Sequence, residues 1–187
     1  MIDGSVFKLV IFAAMSGGLI ALSWKSFRVP ASHGFFRFFA FESILALILI
    51  NIHAWFVDAF SVRQIISWAL LFTSLILLVA GVRRLHASGN PEGKRMDDTL
   101  LAFEKTTALV TSGIYGYIRH PLYGSLLFLS WGTFLKDLTG YSMALVMLAT
   151  LFLIATARAD EAECIAYFGQ SYREYMKKTK MFIPLLF

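Results

Sequence analysis

Arg119-His120-Pro121-Leu122-Tyr123 puts a guanidinium, an imidazole and a phenol beside a proline suited to the first position of a helix. The whole motif reads Gly113-Ile114-Tyr115-Gly116-Tyr117-Ile118-Arg119-His120-Pro121-Leu122-Tyr123. A helix that starts at Pro121 turns free backbone N–H groups and a positive dipole end toward Arg119 and His120, a favourable place for a carboxylate or another anion. A second cluster reads Arg158-Ala159-Asp160-Glu161, then Phe168-Gly169-Gln170-Ser171-Tyr172-Arg173-Glu174-Tyr175. Its carboxylates can receive an ammonium or hydroxyl groups, and its rings can stack on an aromatic ligand. The stretch between the clusters is apolar except for Lys136-Asp137-Leu138-Thr139-Gly140, which reads as a tight turn. A chain that crosses a bilayer and returns therefore brings both clusters to one side. The expected pocket has a cationic wall from Arg119 and His120 and an acidic wall from Asp160 and Glu161. Tyr115, Tyr123 and Tyr172 supply aromatic surfaces over an apolar floor.

The elements that position these residues are membrane helices. The 187 residues are 58% hydrophobic and only 16% charged, against about 25% charged in an ordinary soluble domain. Mean hydropathy is +0.68. Three segments, 6–24, 36–57 and 64–82, are apolar over the roughly 20 residues that a spanning helix needs. Two further apolar runs, 122–135 and 141–157, are shorter. The expected fold is an all-α integral membrane protein of about five transmembrane helices, the last two a short hairpin, followed by a cytoplasmic amphipathic helix. It reads as one membrane domain over 1–187: three helices in 1–82, a cytoplasmic connector in 83–120, the hairpin in 121–157, and a segment in 158–187 that completes the site. The N-terminal residues Met1-Ile2-Asp3-Gly4 lack the basic region of a cleavable signal, so the first helix is expected to be retained.

Charge orients the bundle. With five spans, all of the 17 basic residues except Lys8, Arg63 and Lys136 fall on one side. The positive-inside rule makes that side cytoplasmic, with the N-terminus outside and both clusters inside. The net charge of +5 comes from loops that flank the membrane, not from a patch interleaved with aromatics, so no nucleic-acid partner is expected. His33, His53, His86 and His120 show no metal-ligand spacing, and no metal is expected. The sole cysteine, Cys164, excludes an internal disulfide and reads as a helix-face filler.

Other polar residues compete for a role. Glu42 lies within the second apolar segment, where an ionisable group is a functional candidate, although pairing with Arg37 also accounts for it. Asn51 and His53 lie toward the other side, and His53 reads as packed or interfacial. Ala13, Gly17 and Ala21 form a small-residue stripe suited to close helix packing. In the connector, 87–93 is rich in turn formers and 100–110 reads as a strand-like or interfacial piece. Past Ala157 the apolar spacing continues, so the fifth helix runs beyond the membrane surface until Gly169 bends it. Lys177-Lys178-Thr179-Lys180 then suits both a helix C-terminus and anionic lipid headgroups.

A ligand that matches such a pocket is zwitterionic and partly aromatic, and S-adenosylmethionine meets that description. Gly-x-Tyr-x-x-x-Arg-His-Pro-x-Tyr, then an acidic pair, Phe-Gly and Tyr-x-x-Tyr, resembles the isoprenylcysteine carboxyl methyltransferase family, whose broader relatives include phospholipid N-methyltransferases. The resemblance covers about 109–184. It implies that S-adenosylmethionine is held on the cytoplasmic side and that a hydrophobic or lipid-linked methyl acceptor arrives from the bilayer. It further implies cofactor contacts from Tyr115, Arg119, His120, Pro121, Tyr123, Asp160, Glu161 and Tyr172, with Arg158 and Glu161 facing the acceptor as catalytic residues. Tyr175 matches the second tyrosine of the closing helix. Two departures stand out: Asp160-Glu161 replaces the usual Glu-Glu, and Gly124 follows the motif tyrosine by one residue instead of two.

Transfer from a sulfonium is an in-line displacement, governed by alignment. A carboxylate acceptor needs no base, whereas an amine or thiol must first lose a proton, for which His120 and Glu161 are the candidates. A related Arg-His-Pro-x-Tyr segment also occurs in NADPH-dependent sterol reductases, but the acidic pair is unsuited to a nucleotide 2′-phosphate. A non-catalytic membrane scaffold is the third reading.

Overall fold

The computed structural model describes residues 4–89 and 106–184. Among them are six α-helices: α1 Gly4–Ser23, α2 His33–Asn51, α3 Val62–Ser88, α4 Pro121–Phe134, α5 Gly140–Phe168 and α6 Gln170–Lys178. Four helical segments, Gly4–Ser23, His33–Ala54, Val62–Ser88 and Gly140–Phe168, are long and apolar enough to cross a membrane. The protein is an integral membrane protein. Most of the polar connector lies outside the described residues, including the strand-like piece expected at 100–110 up to residue 105.

Packing does not follow chain order. α2 pairs with α5 and α3 with α4, and contact between α4 and α5 joins the pairs. The α2–α5 seam follows from residue spacing: Ala40, Ile44 and Leu47 on one helix meet Val146, Ala149, Leu153 and Ala157 on the other, all buried. Phe39 stacks on Phe152 with ring centroids 5.1 Å apart. α1 packs chiefly on α2, with Ser16 Oγ donating to Glu42 Oε2 at 2.7 Å. Glu42 thus serves the α1–α2 contact. The small-residue stripe of α1 does not form the expected close contact: Ala13, Gly17 and Ala21 are exposed, and Gly17 has nothing within 4 Å of an added Cβ. Close approach occurs instead between α3 and α4. There a Cβ on Gly132 would meet Leu71 Cγ at 2.9 Å and the Ser67 carbonyl at 3.2 Å, and one on Gly81 would meet Leu122 Cδ2 at 2.9 Å.

α4 is the outlier among the five helices that carry the chain along the bundle. Its 14 residues rise about 21 Å, short of a hydrocarbon core of about 30 Å. The last carbonyls of such a helix cannot count on water, so other helices must satisfy them. Ser67 Oγ donates to Gly132 O at 2.7 Å, Asn51 Nδ2 to Thr133 O at 2.9 Å, and Arg63 Nη1 to Leu135 O at 2.6 Å and also to Lys136 O. Lys136 is fully buried; its ammonium donates to Gln64 Oε1 at 3.0 Å and lies 3.6 Å from the centre of the Trp68 ring. Thr139 and Ser142 then cap α5 reciprocally.

Two expectations at the ends of α5 meet their structural counterparts. The helix runs on to Phe168, and Gly169 breaks it at φ 61°, ψ −132°, a conformation that favours glycine. Because Gly132 has no room for a side chain, Gly132→Ala forces α3 and α4 apart. The expected cost is about 1–3 kcal/mol, read as a lower Tm of the detergent-solubilised protein.

Candidate functional site

The chain approaches α4 through a short 3-10 turn, Gly113–Gly116, which buries Tyr115. Gly113 has φ 65°, and a Cβ there would lie 3.3 Å from Arg84 Cδ, so glycine suits both its backbone and its neighbour. The following residues pair with the segment after α6. Arg119 N–H donates to Lys180 O at 2.8 Å, His120 N–H to Met181 O at 3.1 Å, and Lys180 N–H to Tyr117 O at 3.1 Å. Phe182, only 1% exposed, joins the core cluster that contains Tyr123. His120 holds the extended φ of −122° that the following proline favours, and Pro121 opens α4.

On this frame the two sequence clusters meet. Glu161 Oε1 accepts from Arg119 Nε at 2.7 Å and lies 3.3 Å from His120 Nε2. The other ring nitrogen, His120 Nδ1, lies 3.4 Å from Asp160 Oδ2. Arg119 Nη1 reaches onward to the carbonyls of Met176, at 3.3 Å, and Thr179, so the same guanidinium holds the end of α6. Tyr175 Oη donates to Tyr115 O at 2.7 Å and ties α6 to the turn.

Electrostatics follow from this geometry. Burial opposes a charge on His120, but hydrogen bonds and Coulombic attraction from Asp160 and Glu161 outweigh it and raise the pKa above 6.5. Burial pushes the phenols of Tyr172 and Tyr175 well up, so both stay protonated at neutral pH.

These residues surround a cavity that is partly open to solvent. Arg119, His120 and Asp160 form its polar side; Tyr115, Tyr123, Phe168, Tyr172 and Tyr175 supply rings. Leu85, Leu109, Val110, Pro121 and Leu122 add apolar wall. The ring of His120 stacks on Tyr123 at 5.5 Å, and Phe168 on Tyr172 at 6.5 Å.

Of the residues singled out in the sequence, Tyr115, Arg119, His120, Pro121, Tyr123, Asp160 and Tyr172 all line this cavity. Glu161 does not; it lies behind the wall with its carboxylate on Arg119 and His120. Arg158 is exposed on α5 and does not line the cavity either. Cys164 lines it, with Sγ 3.6 Å from Asp160 Oδ1. The described residues contain no group of three or more His, Cys, Asp and Glu able to hold a metal.

Sequence reasoning missed two contributors. Glu163 accepts from the backbone N–H of His33 at 3.0 Å and contacts its Nδ1 at 2.6 Å, fastening the start of α2 to α5. Helical spacing carried part of that signal, because positions 160 and 163 are one turn apart and share a side of the helix. Phe182 was the other, and Met181-Phe182-Ile183 after a run of lysines was its only hint.

Fold and site together define a class: a helical membrane protein with a charge-paired, aromatic-lined cavity at one end of its bundle. Comparisons with known proteins narrow it. The Protein-S-isoprenylcysteine O-methyltransferase of Schizosaccharomyces pombe is 34% identical over 85 residues, which cover 44% of this chain and 35% of that protein. The human protein of the same name is 30% identical over 125 residues, covering 65% of this chain and 43% of the relative. The Methanethiol S-methyltransferase of Pseudomonas deceptionensis is 27% identical over 73 residues, 39% of this chain and 27% of the relative. Over these stretches the chain is similar to members of the isoprenylcysteine carboxyl methyltransferase family. It spans less than half the length of each of these three proteins. No family model matches the chain. No solved structure matches it either. The reductase reading finds no support among these relatives.

A raised histidine pKa has a defined consequence for stability. The contribution of protonated His120 is fully present below its unfolded pKa of about 6.5 and is lost as pH rises through the higher folded value. Tm is therefore expected to fall as pH is raised above 6.5, and His120→Gln should flatten that fall in a pH series of thermal melts.

Proposed function

We propose that the chain is an integral membrane methyltransferase that takes S-adenosylmethionine as donor and a hydrophobic or lipid-linked molecule as acceptor. One observation carries the reading: a single cavity joins a partly exposed carboxylate, an imidazole held between two carboxylates, and five aromatic rings. The methyltransferase names of the relatives support it.

The residues present fit the cofactor. Asp160, 19% exposed at the cavity wall, suits an ammonium or ribose hydroxyls. The rings of Tyr115, Tyr123 and Tyr172 suit an adenine. His120, buried and drawn toward its charged form, and Arg119 suit the carboxylate. S-adenosylmethionine, when bound, supplies a methyl group activated by a sulfonium. The chain's own residues hold and align the reacting groups.

The same geometry ranks possible bases. Glu161 is tied to Arg119 and His120, and His120 has a carboxylate at each ring nitrogen, so neither is suited to take a proton from an acceptor. A carboxylate acceptor, which needs no base, is the acceptor this arrangement serves best. For a thiol or amine, Asp160 is the one cavity-facing carboxylate among the described residues. Arg158 is exposed on α5 outside the cavity, and its role toward an acceptor's polar end rests on the family resemblance alone.

The reading extends to orientation, with the N-terminus outside and the site cytoplasmic. Arg63 and Lys136 both bond within the cap of α4. Two of the three basic residues counted on the outer side therefore have an internal role, which sharpens the asymmetry of the remaining charges.

The direct test supplies purified protein in lipid nanodiscs with S-adenosylmethionine carrying a labelled methyl group and a total lipid extract, and follows label into organic-soluble product. Label transfer is expected, and none at millimolar donor with folded protein would sink the reading. Asp160→Asn should weaken donor binding by about 10–100-fold in titration calorimetry, the size of one hydrogen bond to a charged group.

A further inference from the structure

α6 has two unlike faces. Tyr172 and Tyr175 are buried against the cavity, whereas Arg173, Lys177 and Lys178 are exposed, as is Lys180 just beyond the helix. Glu174 is the acid on the outer face, and Gln170 Nε2 contacts it at 3.3 Å, so a cationic excess remains.

The depth of this face follows from chain pairing. Gly169 ends α5 and turns the chain, and by Lys180 it runs beside Tyr117 and Arg119. Those residues immediately precede Pro121, where α4 starts its passage along the bundle. The lysines at the end of α6 therefore lie at the level where the bundle meets the headgroups. A tyrosine-backed helix with outward lysines at that depth is what an anionic lipid surface attracts.

We propose that the outer face of α6 is an anionic-lipid contact and that this contact steadies the wall of the cavity. The linkage runs through hydrogen bonds: Met176 O near the end of α6 and Thr179 O just beyond it are held by Arg119, and Tyr175 is held by Tyr115. Headgroups that neutralise Lys177, Lys178 and Lys180 relieve their repulsion of one another and of Arg173. They thereby favour the docked helix. Each interfacial lysine gains roughly fivefold in preference for an anionic surface. Only the coupling to donor affinity rests on the proposed function; the lipid contact itself does not.

The test compares full-length protein in nanodiscs of phosphatidylcholine alone and of phosphatidylcholine with phosphatidylglycerol. Hydrogen exchange of 170–180 reads the helix, and calorimetry with S-adenosylmethionine reads the cavity. Phosphatidylglycerol should slow exchange about tenfold and tighten donor binding severalfold. Both effects should vanish in a Lys177→Gln/Lys178→Gln/Lys180→Gln variant and persist in the corresponding Lys→Arg variant. Thermal melts of the Gln variant in phosphatidylcholine, unchanged from the parent, would show that it folds. If phosphatidylglycerol slows exchange but no donor binds in either bilayer, the lipid contact stands and the methyltransferase reading fails. Donor binding with no lipid effect on exchange or affinity would overturn the proposal, as would a lipid effect that survives in the Gln variant.

Discussion

One carboxylate oxygen, Glu161 Oε1, contacts both Arg119 and His120, and the architecture of the site depends on that sharing. Charges near lipid are costly unless paired, and removing one partner of a buried pair leaves the other uncompensated. The sharing ties four elements together. α5 must run on past its apolar stretch to carry Glu161. The turn before α4 must present Arg119 and His120 to it. Arg119 in turn holds the end of α6, and the segment after α6 pairs with the backbone of residues 117–120. Asp160 is left at the cavity wall, one residue from the brace but on another side of the helix. Adjacent acids thus divide the labour, one holding the frame and one facing the ligand space.

The opposite end of α4 shows the same principle with backbone carbonyls as the groups that need partners. A helix of 14 residues cannot bring both ends to water across a full bilayer. Its start is held by the ion-paired loop, and its end by donors from Asn51, Arg63 and Ser67. Close packing at Gly81 and Gly132 sets it against α3 along its length. α4 is therefore fastened at both ends and along one side, which keeps the His120 side of the cavity in register with α5. Lys136, enclosed by Gln64 and tryptophan rings, belongs to that fastening and not to a loop in water.

The parts of this arrangement that sequence made legible were those with local signals. Hydropathy marked the long helices, Pro121 the start of α4, and Gly169 the break after α5. The meeting of the Arg-His and Asp-Glu clusters followed from parity, since a short hairpin must return its chain to the side it left. Glu161 was expected to face the acceptor, yet in the structure it turns to Arg119, because side-chain direction depends on a helix rotation that spacing alone leaves open. The small-residue stripe of α1 misled for a related reason: Ala13, Gly17 and Ala21 make close contact only where a partner helix stands, and α2 packs elsewhere. The caps of α4, the His33–Glu163 pair and the return of Phe182 to the core join residues far apart in sequence, and no local pattern announces them.

In the proposed function the methyl donor sits in the cavity between α4, α5 and α6. Ultraviolet crosslinking of radiolabelled S-adenosylmethionine, followed by peptide mapping, locates the donor most directly. Label is expected on peptides containing residues 115–123 and 160–175, and unlabelled donor should compete it away. Competable label on α1 or α2, with none on those two segments, would contradict the account.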